Sequence, residues 1–496
     1  MGEPKNVIVE LSSAAVPTAA AMGIGLAAAI ATEATVPGDI PGISLDRTFG
    51  AVPVPKHLPR TAGVDPFDVG LALSLDASPK ASTYLVRGVI DSDAITETGY
   101  SLKPAPSVVG IYSDPAIEVC IICPGSPPLG TDADVGGLLG VPDLARRGMD
   151  GSGVMVAIVD TGINLAYLRA HGKNPHLDAR ASWVPRPGLT PGDLPVNHGT
   201  MCTYDALIAA PNCTLLDIAV LLSNRSGGSI MDGLLSDAVR AYSHLLRIML
   251  APKRPGDARS MVVSNSWGMF NPSWDFPIGH PGNYSDNPAH PFNRIVGSLE
   301  TAGADILFAA GNCGRDCPDA RCQGVTNAGI YGANSHPQVL SIAGVDVTKM
   351  RVGYSTSGPG RLARMKPDLS SYTHFKGSGV YAADGGTSAA TPVAAGVVAA
   401  FRSRFPYLAA TPKTHPAAIR SLLTRTAEDR GAVGFDFDYG WGIINGKKLA
   451  TLRALTALEP VKVEGVPLVV PEPAAAPVVE EVPAAARPEI AKAAAV

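Results

Sequence analysis

A chain of 496 residues, 46% hydrophobic and only 17% charged, is long enough to bury a large core and to carry appendages. Its 40 basic residues against 44 acidic ones give a net charge of −4, with no strongly basic stretch, which argues against a nucleic-acid partner. Seven cysteines are an odd number, so at least one is expected to stay free or to pair with another chain.

Residues 11–32 are uncharged but mostly Ala and Gly, with Pro17 among them, which is too weakly apolar for a membrane span. Glu3 and Glu10 against Lys5 do not make the basic start of a secretory signal. We read residues 1–45 as a flexible Ala/Gly-rich leader, with no convincing signal peptide, which favours the cytoplasm slightly and leaves export open. Residues 46–123 read as a small α/β domain. Within it, residues 82–90 (STYLVRGVI) and 107–112 (SVVGIY) have the β-branched and aromatic content of strands, and Asp114-Pro115 makes a turn after them. Cys120 and Cys123 form a lone C-x-x-C, weak evidence for redox work. Residues 124–141 read as a Pro- and Gly-bearing linker.

The expected main domain, residues 142–458, opens with the apolar run VMVAIV at 154–159, patterned for a strand buried on both faces. It delivers Asp160 to its carboxyl end before a Thr-Gly turn, where open α/β sheets keep their sites. His198 stands in NHGTMCT, and Cys202 four residues later shares its helix face as a packing residue. Between Phe270 and Phe292 runs a loop dense in Pro, Gly, Asn and aromatics, which we expect to cap a cleft. Its His280, Asp286 and His290 have no standard metal spacing and read as solvated loop residues. A second buried strand, ADILFAA at 304–310, ends at Gly311-Asn312, and Cys313, Cys317 and Cys322 follow. A disulfide within that trio is expected if the protein is exported, and reduced thiols if it is not. Gly385-Gly386-Thr387 then turns into an Ala-rich helix and puts Ser388 at its N-terminus, among free backbone N–H groups. From Pro467 the chain alternates Pro, Ala, Val and Glu, so residues 459–496 are expected to form a disordered tail.

These residue types have a common chemistry. A serine hydroxyl is a poor nucleophile near neutral pH and needs a base within hydrogen-bond reach, for which His198 is the candidate. Asp160 would hold the imidazole in the right tautomer and stabilise the imidazolium. The Asn312 amide, beside the Ser388 backbone N–H, would bind a tetrahedral oxyanion.

The order Asp, His, Asn, Ser in the motifs DTG, HGT, AAGN and GTSxxxP, with Ser266-Trp267-Gly268 between them, resembles the subtilisin-like serine proteases over roughly residues 140–450. That resemblance implies a parallel sheet with helices on both faces, and peptide-bond hydrolysis through an acyl-enzyme on Ser388. It also implies extended protein or peptide substrates held between Gly227-Gly228-Ser229 and Ser266-Trp267-Gly268. Trp267 could line a subsite or simply be core, and no acidic residue in these segments marks a basic-selective pocket, so an apolar residue is expected before the cut. The small N-terminal α/β domain resembles the family's inhibitory propeptide, cut off within 124–141. No cofactor is required, no metal ligands are assigned, and calcium is implied by the resemblance alone. The α/β-hydrolase motif G-x-S-x-G fails at Ala390, and the acid-active relatives that use Glu and Asp in place of His198 and Asn312 do not fit. The non-enzyme alternative is a catalytically silent peptide-binding scaffold of the same fold.

Overall fold

The computed structural model describes residues 2–12, 40–55, 82–96, 99–101, 107–119, 126–222, 231–251 and 260–453. The first described segment, residues 2–12, contradicts the leader reading. Strand β1 (Pro4–Ser12) is the central strand of an antiparallel sheet with β2 (Ile43–Leu45), β3 (Val52–Pro55), β4 (Ser82–Asp91) and β5 (Val108–Ser113), in the order β2-β4-β1-β5 with β3 beside β4. One face of β1 carries apolar side chains at period two, and the other carries Ile8 between Asn6 and Glu10. Val7, Val9 and Leu11 fill the sheet's own core, while Ile8 joins the core of the domain behind it. Lys5 and Glu10 within the strand mask that alternation in the sequence. Residues 13–39, its Ala/Gly-rich part, lie outside the described residues.

After Asp114-Pro115 the chain enters β6 (Ala116–Val119), which leaves the N-terminal sheet altogether. The expected linker is shorter than 124–141. Its second half forms helix α1 (Asp132–Leu139), closed at Thr131 by a capping box with Asp134 and anchored by buried Val135 and Leu139.

The main sheet is parallel throughout. It comprises β7 (Val154–Val159), β8 (His176–Leu177), β9 (Thr214–Ile218), β11 (Ser260–Asn265), β13 (Ala304–Ala309), β14 (Leu340–Val345) and β15 (Leu369–Tyr372), in the order β15-β14-β13-β11-β7-β9-β8. β7, β11, β13 and β14 are buried at every position, as strands covered on both faces must be. Alternate residues of β7 feed two separate cores. Val154, Val156 and Ile158 face one core with helices α2 (His198–Ala206) and α5 (Gly386–Arg404), and Met155, Ala157 and Val159 face the other with α3 (Leu235–Leu250) and α4 (Pro291–Thr301). A third sheet sets β6 antiparallel between β10 (Asp232–Leu234) and β12 (Trp267–Gly268).

The N-terminal sheet docks on α3 and α4 through buried charge. Asp114 accepts hydrogen bonds from the Ser236 N–H (2.8 Å) and hydroxyl (2.7 Å) at the start of α3, and Arg87 bridges to Asp237 at 2.8 Å. Glu10, 1% exposed, pairs with Arg294 of α4 at 2.6 Å. The 270–292 loop joins this contact instead of capping a cleft. His280 Nε2 meets the Gly99 carbonyl at 3.0 Å, His290 Nε2 meets the Ser113 carbonyl at 2.9 Å, and Phe276 enters the core of the N-terminal sheet. Both histidines are buried, not solvated, and burial lowers His290 to about 3, which keeps it neutral.

One buried ion pair ties α5 to β13. Arg402, fully buried, meets the Asp305 carboxylate at 2.5 and 2.8 Å and the Thr414 carbonyl at 2.6 Å. Arg402→Met strands the Asp305 charge and is expected to destabilise the fold by about 3 kcal/mol, read as a lower urea midpoint. An unchanged midpoint would remove this pair from the account.

Candidate active site

Asp160 follows the last residue of β7, 1% exposed, and its Oδ1 accepts the Thr161 N–H at 2.7 Å. His198 opens α2, where the Asn197 side chain caps its N–H at 2.9 Å. The imidazole Nδ1 lies 2.9 and 3.0 Å from the two Asp160 carboxylate oxygens. Nε2 is buried and has no hydrogen-bond partner among the described residues. The residues flanking the pair explain the rest of both motifs. The Gly199 N–H binds the Thr161 hydroxyl at 2.8 Å, and a Cβ at Gly199 would sit 2.5 Å from the Gly162 carbonyl. Only glycine allows the two turns to touch so closely.

Ser388 is the third residue of α5 and fully buried. Its hydroxyl donates to the Ser266 carbonyl at 3.2 Å, while the Ser266 hydroxyl donates to the Ser388 carbonyl at 2.9 Å. Cys202 spans the two sides: its Sγ is 3.6 Å from His198 Nδ1 and 3.5 Å from the Ser388 carbonyl. Burial, and then the Asp160 charge, push its thiol well above the ordinary range, so it is a packed thiol and not a thiolate nucleophile. Asn312 follows β13, and its Oδ1 accepts both the N–H and the hydroxyl of Thr387 at 3.0 Å, which fixes the orientation of the amide. The Cys313–Cys322 disulfide closes the loop after it, a pairing within the expected trio, and Cys317 is also disulfide-bonded. Cys202 and Cys213 are free and buried.

Gly227, Gly228 and Ser229 lie outside the described residues, and β10 begins three positions later. Trp267 and Gly268 form β12, whose backbone pairs with β6. The Trp267 ring is core, fully buried against Phe308 and Phe292 at 5.3 and 5.9 Å between ring centres, so its backbone and not its ring faces the cleft. Beyond β12, Met269, Phe270, Ala310 and Tyr331 line a small pocket that reaches Asn312.

Two residues escaped the sequence reading. Thr387 belongs in sequence to the turn into the helix, and in the structure it holds Asn312. Asp217, inside the otherwise apolar β9, accepts the Ile163 N–H at 3.2 Å and the Gly192 N–H at 2.8 Å behind the Asp160 turn. A lone acid in a buried strand was the available signal for it, and burial raises it to about 7.

No calcium ligand set is assigned among the described residues. Among the described residues the one group of three ligand-type side chains is Asp160, His198 and Cys202, a nitrogen and sulfur set foreign to that ion.

A family model described as the subtilase family matches residues 151–442. The chain belongs to the subtilase family. It is 27% identical over 315 residues to Subtilisin E of Bacillus subtilis (strain 168), covering 61% of this chain and 67% of that one. Against Subtilisin of Bacillus pumilus the identity is 27%, covering 61% of this chain and 93% of the relative. Against an alkaline protease of Alkalihalobacillus alcalophilus it is 26% over 313 residues, covering 62% and 66%. This subtilase is accordingly a serine-type endopeptidase that acts on protein substrates.

Beneath its site, Asp205 of α2 and Asp384, just before α5, face each other as two buried carboxylates. Burial, followed by the charge of Asp384, raises Asp205 well above the usual range, so the pair holds a proton in the folded state that the unfolded chain releases. Its contribution to stability is therefore present at low pH and lost as pH rises through that raised value. Asp205→Asn, neutral at every pH, is expected to flatten the alkaline side of the Tm-versus-pH curve relative to wild type. Parallel curves for the two proteins would contradict this.

Proposed function

We propose that this subtilase cleaves peptide bonds through an acyl-enzyme on Ser388, and that it is made as a self-inhibited precursor. When a substrate carbonyl arrives, the Ser388 hydroxyl turns from the Ser266 carbonyl and attacks it, and His198 Nε2 takes the proton. Asp160, bonded to Nδ1, fixes the tautomer and stabilises the imidazolium. The Asn312 amide and the Ser388 N–H receive the oxyanion. His198 then returns the proton to the leaving amine, and water repeats the sequence on the ester to free the acid. The substrate lies extended between β10 and β12, and the apolar lining beyond β12 favours an apolar residue before the cut. The observation that carries this reading is the buried Asp160–His198 pair, with Cys202 in contact with both His198 Nδ1 and the Ser388 carbonyl.

The precursor reading rests on β6. A strand of the chain itself fills the groove between β10 and β12 in the antiparallel manner a bound peptide would adopt, and the N-terminal sheet is docked behind it. Helix α1 belongs to the catalytic core, so processing falls in the stretch between β6 and α1. Intact mass of the purified chains tests this. Wild type is expected to lose its N-terminal segment and Ser388→Ala to keep it, while Asn312→Ala lowers kcat by about a hundred- to a thousandfold. Equal lengths for wild type and Ser388→Ala, with no hydrolysis by either, would favour the silent peptide-binding scaffold.

A further inference from the structure

β6 is the one peptide seen in the cleft among the described residues, and its side chains divide sharply. Ile117 and Val119 are 0% and 1% exposed and sink into the core that α3 and β12 share. Glu118, between them, points the other way and meets Arg321: Nη1 lies 2.7 Å from Oε2. The same guanidinium donates through Nη2 to the Val119 carbonyl at 2.8 Å. One side chain therefore reads both the backbone of the cleft peptide and the charge it carries.

Arg321 is held in place independently of β6. Asp319 grips its Nε at 2.9 Å and its Nη2 at 2.7 Å, and the guanidinium lies over the Phe270 ring, 3.7 Å from its centre. The Cys313–Cys322 disulfide closes the loop that carries both residues, and the Asp319 N–H binds the Asn312 carbonyl at 2.9 Å. The site is thus built onto the Asn312 turn.

We propose that Arg321 is a specificity-determining residue that selects an acidic side chain in the substrate, three residues before the scissile bond, between apolar neighbours. The position follows from register. Val119 pairs with Trp267, so the next residue of a substrate in the same alignment stands opposite Ser266, whose carbonyl is 3.2 Å from Ser388 Oγ. This deepens the proposed function and rests on the reading of β6 as a substrate-like strand. Because Asp319 already partners Arg321 and the contact is about one-fifth exposed, the preference is expected to be moderate.

The test uses the processed enzyme with peptides acetyl-Ile-Xaa-Val-Leu-p-nitroanilide, where Xaa is Glu, Gln or Lys. Wild type is expected to give a kcat/KM about fivefold higher for Glu than for Gln, with Lys lowest. Arg321→Glu should reverse the Glu-to-Lys order. The same ratios in wild type and Arg321→Glu would overturn the proposal. A second readout needs no turnover. In the Ser388→Ala chain, amide exchange over residues 116–119 should speed up in Glu118→Lys and slow again when Arg321→Glu is added. If no peptide is hydrolysed but this charge swap restores protection, the recognition stands and the protease reading falls. If the swap restores nothing, the recognition falls.

Discussion

The register of the parallel sheet is the constraint on which the site depends. Asn265 at the end of β11 pairs with Val159 on one side and with Phe308 on the other, so β7, β11 and β13 finish at one level. Asp160, Ser266 and the turn to Asn312 therefore emerge side by side, although together they span about 150 residues of the chain. A slip of one residue in either pairing would turn every side chain to the opposite face and separate them. The two helices that complete the site, α2 and α5, pack on one face of this sheet and bring His198 and Ser388 to the same edge. No local feature of any one motif could achieve this. The contiguous apolar runs that lock the register are as much a part of the catalytic design as the polar residues at their ends.

Around that edge, close contacts hold the site residues in place. Gly199 lets the His turn ride on the Asp turn, Thr387 anchors the Asn312 amide, and Cys202 fills the space between His198 and the Ser388 carbonyl. Each substitutes a short, buried, fixed neighbour for solvent, which favours an imidazole and an amide already oriented before substrate arrives. The cost is burial of carboxyl groups beneath the site, which raises Asp217 and Asp205.

What the sequence disclosed, and what it concealed, divides along physical lines. Strand-end residues after unbroken apolar runs were legible because a strand buried on both faces leaves a pattern in one short window, and the Asp160 and Asn312 segments have it. β1 was concealed because its alternation, with Lys5 and Glu10 inside it, becomes meaningful only when two different cores accept its two faces. His280 and His290 looked solvated because their partners are backbone carbonyls of a domain more than 150 residues earlier, which leave no trace in spacing. Trp267 combined a core ring with a cleft-facing backbone, two roles that residue identity alone does not separate. Arg321 lay inside a cysteine-bounded loop with no motif of its own, and its significance appears only once β6 is seen against it.

Acylation of Ser388 by a fluorophosphonate, located by peptide mapping, tests the central claim most directly. The account predicts a single adduct on Ser388 that forms slowly while the N-terminal segment is attached and faster once it is gone, with no adduct in His198→Ala. An adduct on another residue, or none after the N-terminal segment has been removed, would contradict it.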